Sequence, residues 1–549
     1  MRSSLVWSKW FNMGVFSRVR VFLLVAVFLA LPLTASADGS CLKYFAAFSS
    51  LTASGENAPF WLVSKQQGLF TLDKSSGFAR YGLSYSSSVG QNKSLSYELV
   101  ADFTTGYNRE RAFAVQQLYA ELLWKNFTLT VGSKERFAEL RSCAFSRENF
   151  SFATAALNRE FPSFYYNKFT DISSGGLLYS GNSKPVPQVR IEVPRYVDVP
   201  RTGGWLKVRG HIAYGIFLDG DFQRDFSRGN SVTRYAENVL FHSKALFFKV
   251  GRPEKFPVTF EGGLEMYSQF GGDVYKHGEG KVVSMPARAT DFLKALIPWS
   301  GSDDTPLDEQ TNISGNQIGN WHAALTLHLA PVDVCFYGEH IFEDFSQLFF
   351  IEYQSNREGK KRLIYYPWRD FLAGVRVTNK SDVLPFVSNL QYEFLSTYDQ
   401  SGALYHDPTS TLKEQMDGVD DYYNHGIYPG WHYWGVGIGN PLIVSPVYNV
   451  NGSLKFSGNR VIAHHLGVNG DFGSLPLAYR LMYTYSENWG TYLNPYDEKK
   501  YTNSFLLDIA YTAGKGEWGG VLSVGCDHSN LVGNNWGVLF TLFKMGFIK

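Results

Sequence analysis

The chain has 549 residues, 16% aromatic and only 18% charged, with 52 glycines and a formal net charge of +1. So balanced a charge sets up no long-range positive field, which excludes nucleic acid as a partner. Once a leader is set aside, about 510 residues remain, a length that ordinarily divides into roughly three soluble domains. No Pro-, Ser- or Gly-rich linker separates one compositional block from another, so a single large β-architecture over 38–549 fits better.

Residues 1–37 read as a secretory signal peptide. Arg2, Lys9, Arg18 and Arg20 form the basic start, 21–33 the apolar stretch, and Ala35-Ser36-Ala37 the cleavage pattern, with cleavage after Ala37. An uncleaved anchor is an alternative, as is lipidation at Cys41, although Asp38-Gly39-Ser40 is a poor lipobox. Beyond the leader no apolar run reaches the ~18–20 residues of a spanning helix, so membrane insertion requires a closed barrel. The mean hydropathy of −0.17 agrees, because strands alternating lipid-facing and lumen-facing side chains average near neutral.

From there the dominant pattern is period two. Over 95–103, Leu95, Tyr97, Leu99, Ala101 and Phe103 share one face, and Ser96, Glu98, Val100 and Asp102 the other, wet one. In 117–124, Leu118, Ala120, Leu122 and Trp124 point outward and Gln117, Tyr119 and Glu121 inward. A short turn at Lys125-Asn126 then leads into Phe127, Leu129 and Val131, making a hairpin. The alternation breaks over 142–170, which reads as loop with a short helix.

Next comes a basic cluster, Arg190, Arg195, Arg201, Lys207 and Arg209 with Glu192, among four prolines. These arginines could receive an acidic polysaccharide or lipopolysaccharide phosphates, or pair with interior carboxylates. The segments 299–316 and 396–428 are long polar connections, as expected of outer loops, where binding residues concentrate. Gly338-Glu339-His340 with Glu343-Asp344 is chemically suggestive, but a lone His near acids is usually a satisfied structural group.

The 417–434 stretch holds the richest constellation: Asp420, Asp421, Tyr422, Tyr423 and His425, with Trp431, Tyr433 and Trp434 close behind. Carboxylates and amides that meet hydroxyls, beside aromatic faces that pack on sugar C–H groups, suit glycan contact. A solvated acidic loop beside an aromatic girdle, or a hydrolytic or metal site, would use the same residues. Gly435-Val436-Gly437-Ile438-Gly439 lacks phosphate-loop spacing and reads as a flexible strand or bulge. Further strands follow over 477–486 and 504–511, with Arg480 among the inward positions, then at Trp518, Gly520, Leu522 and Val524. The final strand, from Asn535 through Phe540 and Phe543 to Phe547, resembles the terminal signal read by barrel-insertion machinery.

No serine-hydrolase elbow, Walker loop, zinc-protease or EF-hand pattern is present, so no catalytic residue, metal or cofactor is assigned. Cys41, Cys143, Cys335 and Cys526 lie far apart and lack metal-ligand spacing; single packed thiols are expected.

Several strings, taken in order, resemble the Wzi family of capsule-assembly proteins. They include Ala58-Pro59-Phe60-Trp61-Leu62, Gln116-Gln117-Leu118-Tyr119-Ala120-Glu121, Ser173-Ser174-Gly175-Gly176-Leu177-Leu178-Tyr179-Ser180, Gly315-Asn316-Gln317-Ile318-Gly319, Asp421-Tyr422-Tyr423-Asn424-His425-Gly426 and Asn488-Trp489-Gly490-Thr491-Tyr492. The resemblance implies an all-β transmembrane antiparallel barrel of about eighteen strands with long outer loops and a small helical periplasmic element. It further implies a non-enzymatic, lectin-like protein of the Gram-negative outer membrane that organises capsular or extracellular polysaccharide. Its other partners would be outer-membrane lipids, lipopolysaccharide and the insertion machinery. A porin-like oligosaccharide channel and a glycan- or lipid-modifying enzyme are the rival functions, and a soluble sandwich or propeller the rival fold.

Overall fold

A computed structural model describes residues 40–89, 95–109, 111–136, 171–297, 315–343, 348–349, 351–355, 361–365, 368–380, 386–400, 420–473, 475–513 and 518–548. The proposed leader, the 142–170 stretch and Cys143 lie outside these residues, as do most of the 299–316 loop and Asp344.

Eighteen strands form one sheet. They are β1 (Cys41–Gly55), β2 (Ser75–Val89), β3 (Leu95–Tyr107), β4 (Phe113–Trp124), β5 (Phe127–Ser133), β6 (Gln188–Asp198), β7 (Leu206–Ile216), β8 (Leu240–Val250) and β9 (Val258–Phe270). The second half comprises β10 (Asn316–His328), β11 (Val332–Glu343), β12 (Phe371–Asn379), β13 (Asn389–Ser396), β14 (Val461–Asp471), β15 (Leu477–Gly490), β16 (Pro495–Ala513), β17 (Trp518–Ser529) and β18 (Asn535–Ile548). Each strand pairs antiparallel with its sequence neighbour, and β18 pairs with β1 from Leu42↔Ile548 to Gly55↔Asn535. That last pairing closes the barrel. The terminal strand is therefore an interior member of the sheet, and no edge is left unpaired.

The expected alternation is the one observed. On β16, Thr502, Ser504, Leu506, Asp508 and Ala510 are buried, whereas Tyr501, Ile509 and Tyr511 face out. Around the exterior, Leu83, Trp124, Ile191, Leu246, Phe336, Tyr483, Leu522 and Phe540 stand exposed. In water such a girdle would drive aggregation, whereas in a bilayer it is the lipid-facing band of a membrane-spanning barrel.

The two ends differ. Strands are joined at one end by short turns, such as 125–126 and 329–331, and at the other by connections that include the long segments 56–74, 134–187, 217–239, 271–315 and 397–460. Short turns mark the periplasmic end of such barrels, long loops the outer one. Among the described residues no α-helix lies at the short-turn end, where the small helical element was expected. Residues Cys41–Gly55 extend as β1, and the α-helices among the described residues, Phe60–Val63, Gly220–Phe226 and Ala289–Leu296, all lie in the long-loop connections.

The lumen is filled from the other side. Three segments, 57–72, 171–187 and 421–460, fold inward from the long-loop end and share one apolar core through Trp61, Leu177, Tyr423, Trp431 and Phe456. They are held chiefly by carboxylates on the barrel wall. Glu339 of β11 accepts the Leu177 N–H at 2.7 Å, Glu393 of β13 the Ser174 N–H at 2.6 Å, Glu343 of β11 the Tyr423 N–H at 2.9 Å and Asp527 of β17 the Phe60 N–H at 2.8 Å. Irregular backbone at membrane depth must be satisfied inside the protein, and these charge-assisted bonds do so. Arg480 of β15 adds a donor to Asp171 O at 3.0 Å while pairing with Asp508.

Candidate functional site: the outer face of the plug

The 421–460 segment is built from tight turns locked by side chains. Asn424 donates to Phe456 O and accepts the Phe456 N–H, and Asn459 donates to Tyr422 O and to Asp421. Gly439 is obligatory, since a Cβ there would meet Tyr423 Oη at 2.1 Å and Leu177 O at 2.3 Å.

This packing redistributes the proposed glycan residues. Tyr422, Tyr423 and Trp431 are fully buried. Tyr423 Oη donates to Leu177 O, and Trp431 Nε1 donates to Leu178 O at 2.9 Å, with its indole against Phe241 and Tyr267. With no surface exposed, these rings meet protein and hold the plug. Asp420, Asp421 and His425 are partly buried; the His425 ring stacks with Tyr428 and accepts the Ile427 and Tyr428 N–H groups. Burial pushes the Asp370 carboxyl up to about 6, against the lowering effect of the Asp399 and Gln400 N–H groups and the Tyr422 hydroxyl, all of which it accepts.

The basic cluster separates in the same way. Arg190, on the lumen side of β6, pairs with Glu192 at 2.6 Å, and Arg209 lies over the Phe247 and Tyr196 rings at 4.3 and 5.1 Å. Arg195 and Arg201 are exposed towards the short-turn end, far along the chain's path from the plug's outer face. His340 Nδ1 donates to Asp370 O, 2.7 Å away, and the ring stacks on Trp368, the structural role expected of it.

Among the proposed aromatic contacts, Trp434 lines a cavity together with its neighbour Tyr433. This space, about 240 Å³, opens between the 64–73, 109–114, 182–184 and 433–448 segments. Trp434 adopts φ 56°, a left-handed conformation rare for a bulky residue, and Gly435 follows at φ 70°. The turn is pinned by the Trp434 N–H donating to Asp219 at 2.9 Å. Over the indole lie the Arg111 guanidinium at 4.7 Å and the Lys184 ammonium at 4.3 Å. Phe60, Phe70 and Leu72 supply apolar wall, and Asn182, Arg109 and Asp73 further polar groups. Sequence reading missed Arg109, Arg111 and Lys184, which come from two separate loops. The one available signal was the Phe60-Trp61 string, whose Phe60 lines the cavity. Among the described residues no three His, Cys, Asp or Glu side chains converge to hold a metal ion.

One consequence concerns pH. Burial pushes the His432 imidazole, within the plug, down to about 4. Its folded value lies below the unfolded ~6.5, so stability is full above pH 6.5 and is lost as pH falls towards 4, in total about 3 kcal/mol. Protease digestion of refolded protein, after incubation at pH 7 and pH 4.5, is expected to cut 421–460 only after the acid step. In His432→Gln the difference between the two digests should shrink, the remainder coming from His425, which burial also pushes down to about 4.

No family model matches the chain, and no curated protein sequence does. Similar solved structures include Wzi of Escherichia coli, an outer membrane protein involved in group 1 capsule assembly and a carbohydrate-binding β-barrel, at 12% identity and TM-score 0.49, covering 97% of this chain and 89% of that one. Another is OccK5 (OpdH) of Pseudomonas aeruginosa, at 7% identity and TM-score 0.45, covering 93% and 99%. A third, OccAB4 of Acinetobacter baumannii, is 8% identical with TM-score 0.42, covering 93% and 99%.

Proposed function

We propose that this chain is a non-enzymatic protein of the Gram-negative outer membrane, exported with cleavage after Ala37, that binds and organises capsular or extracellular polysaccharide at the cell surface. The observation that carries this reading is a lumen packed with the barrel's own loops, with a Trp-centred cavity on the outward side of that packing. Such a barrel is built to present a surface rather than to pass solute, which counts against the porin-like alternative. Asp421, one of the residues an enzymatic reading would use with Asp420 and His425, accepts the Asn424 and Asn459 amides and serves the turn. The lipid-facing girdle would meet outer-membrane lipids and lipopolysaccharide, and the closing strand would be read by insertion machinery.

Trp434 is the residue to test, because its indole lines the cavity with the Arg111 and Lys184 cations over it. Trp434→Ala is expected to weaken binding of the producing cell's purified surface polysaccharide at least ~10-fold, as removal of a central aromatic anchor does. Heat-modifiable migration of the barrel on a denaturing gel should persist. Unchanged binding would remove this cavity from the reading.

A further inference from the structure

We infer that the Ala289–Leu296 helix lies in the outer leaflet of the membrane, docked on the outside of the barrel wall and meeting lipid acyl chains through Leu293 and Ile297. The wall itself shows that something covers it here. On β8, Leu246 is 65% exposed and Phe248 and Val250 stand exposed beside it, as lipid-facing residues do. His242, on the same outward face, is fully buried, and so are Ser268 and Phe270 on the outward face of β9 and Gln317 on that of β10. The helix lies over this patch. Phe292 packs on Tyr214 of β7 and Phe270 of β9, with ring centroids 5.3 and 5.1 Å apart, and Ala295 is buried.

The docking is polar as well as apolar. The last carbonyls of a helix lack partners within it, and three outward-pointing wall side chains serve them. The Tyr214 hydroxyl donates to Phe292 O at 2.7 Å, the Lys244 ammonium to Ala295 O at 2.8 Å and the Gln317 amide to Lys294 O at 3.5 Å. A lysine and a glutamine pointing out of a lipid-facing wall are costly when bare. Beneath the helix they cap its C-terminus.

The length of β8 sets the depth. Arg252, Glu254 and Lys255 follow Val250 at the short-turn end, so the hydrocarbon layer begins near Val250, and a tilted strand needs about 9–11 residues to cross it. Leu246–Val250 is only about half of that. The crossing is complete only when it runs on past Lys244 and His242, which puts the helix over them at the level of the outer leaflet. The helix is suited to that place. At 3.6 residues per turn Phe292, Leu293, Leu296 and Ile297 fall along one side and Thr290, Asp291 and Lys294 along the other. Leu293 and Ile297 are each 61% exposed, an apolar edge that continues the lipid-facing band of Leu246 and Phe248 and that an interfacial helix buries at the boundary of headgroups and acyl chains. That continuity favours lipid over a second copy of the chain as the occupant. The inference goes beyond the polysaccharide reading and does not rest on it.

The test uses full-length protein in phosphatidylcholine vesicles containing a phospholipid with a photoactivatable carbene precursor on its acyl chain. After irradiation and digestion, labelled peptides are identified by mass. Residues 289–297 are expected to be labelled to within roughly threefold of Leu246–Val250, as an element sharing the lipid boundary would be. Leu293→Asn with Ile297→Asn should lower the label on 289–297 by roughly fivefold or more, since the apolar edge is what holds the helix in lipid. Label on Leu246–Val250 and heat-modifiable migration should stay as they were. A labelled strand beside an unlabelled 289–297, the result expected if a second copy covers the helix, overturns the inference, and so does a label on 289–297 that the two substitutions leave unchanged. Label on neither segment overturns the membrane insertion of the barrel and the inference with it. Polymer binding tests the polysaccharide reading separately, and none of these results moves it.

Discussion

Trp431→Ala is expected to open the barrel. The side chain is fully buried, stacks on Phe241 with ring centroids 6.2 Å apart, meets Tyr267 at 5.4 Å, and ties the 421–460 segment to Leu178 O at 2.9 Å. Truncating a buried tryptophan costs about 3–5 kcal/mol, and here the loss falls on the contacts of the 421–460 segment with the barrel wall and with the 171–187 segment rather than on strand pairing. The strand ladder should survive, with unchanged heat-modifiable migration, while the plug unlocks. In planar bilayers the wild type should stay closed and the variant conduct steadily, with new protease cuts within 421–460. Trp431→Phe, which keeps most of the packing but strands the carbonyl, should fall between. A wild-type protein that conducts as strongly as Trp431→Ala would mean that the packed lumen is not a barrier.

The second large effect is in the wall itself. Arg80 of β2, fully buried, donates from Nε to both Asp102 oxygens at 3.0 and 2.9 Å and from Nη2 to Glu135 at 3.0 Å. Gln117 and Gln116 complete the cluster with bonds to Asp102 and Glu135. Buried charge is tolerated only when paired, and deleting one partner leaves the others uncompensated at about 3–5 kcal/mol. Arg80→Met therefore strands two carboxylates, and the folded band should convert to the unfolded one at clearly lower temperature. Adding Asp102→Asn and Glu135→Gln to Arg80→Met should restore most of that loss. If the triple variant is as unstable as the single, the deficit comes from lost packing against Phe45 rather than from charge.

The barrel was legible because its signal is local. The alternation in 95–103, 117–124, 477–486 and 504–511 needs only neighbouring residues, and a one-residue slip would reverse every face. The inward arginine at 480 was readable for the same reason. The plug was not legible, because what buries Tyr422, Tyr423 and Trp431 is the set of Glu339, Glu343 and Glu393 on strands separated from the segments they hold by up to 219 residues. An acidic, aromatic loop reads identically whether it faces water or turns inward. Trp434, proposed as a glycan contact, lies at a cavity, but its cationic neighbours Arg111 and Lys184 converge only through the fold.

The central claim is that this barrel holds polysaccharide on the cell. A deletion strain, with surface polysaccharide measured separately on washed cells and in the medium, tests it most directly. The account predicts that polymer moves from cells to medium with unchanged total amount and chain length, and that the wild-type gene but not the Trp434→Ala gene restores retention. Cell-bound polysaccharide equal to the parent strain's would contradict it.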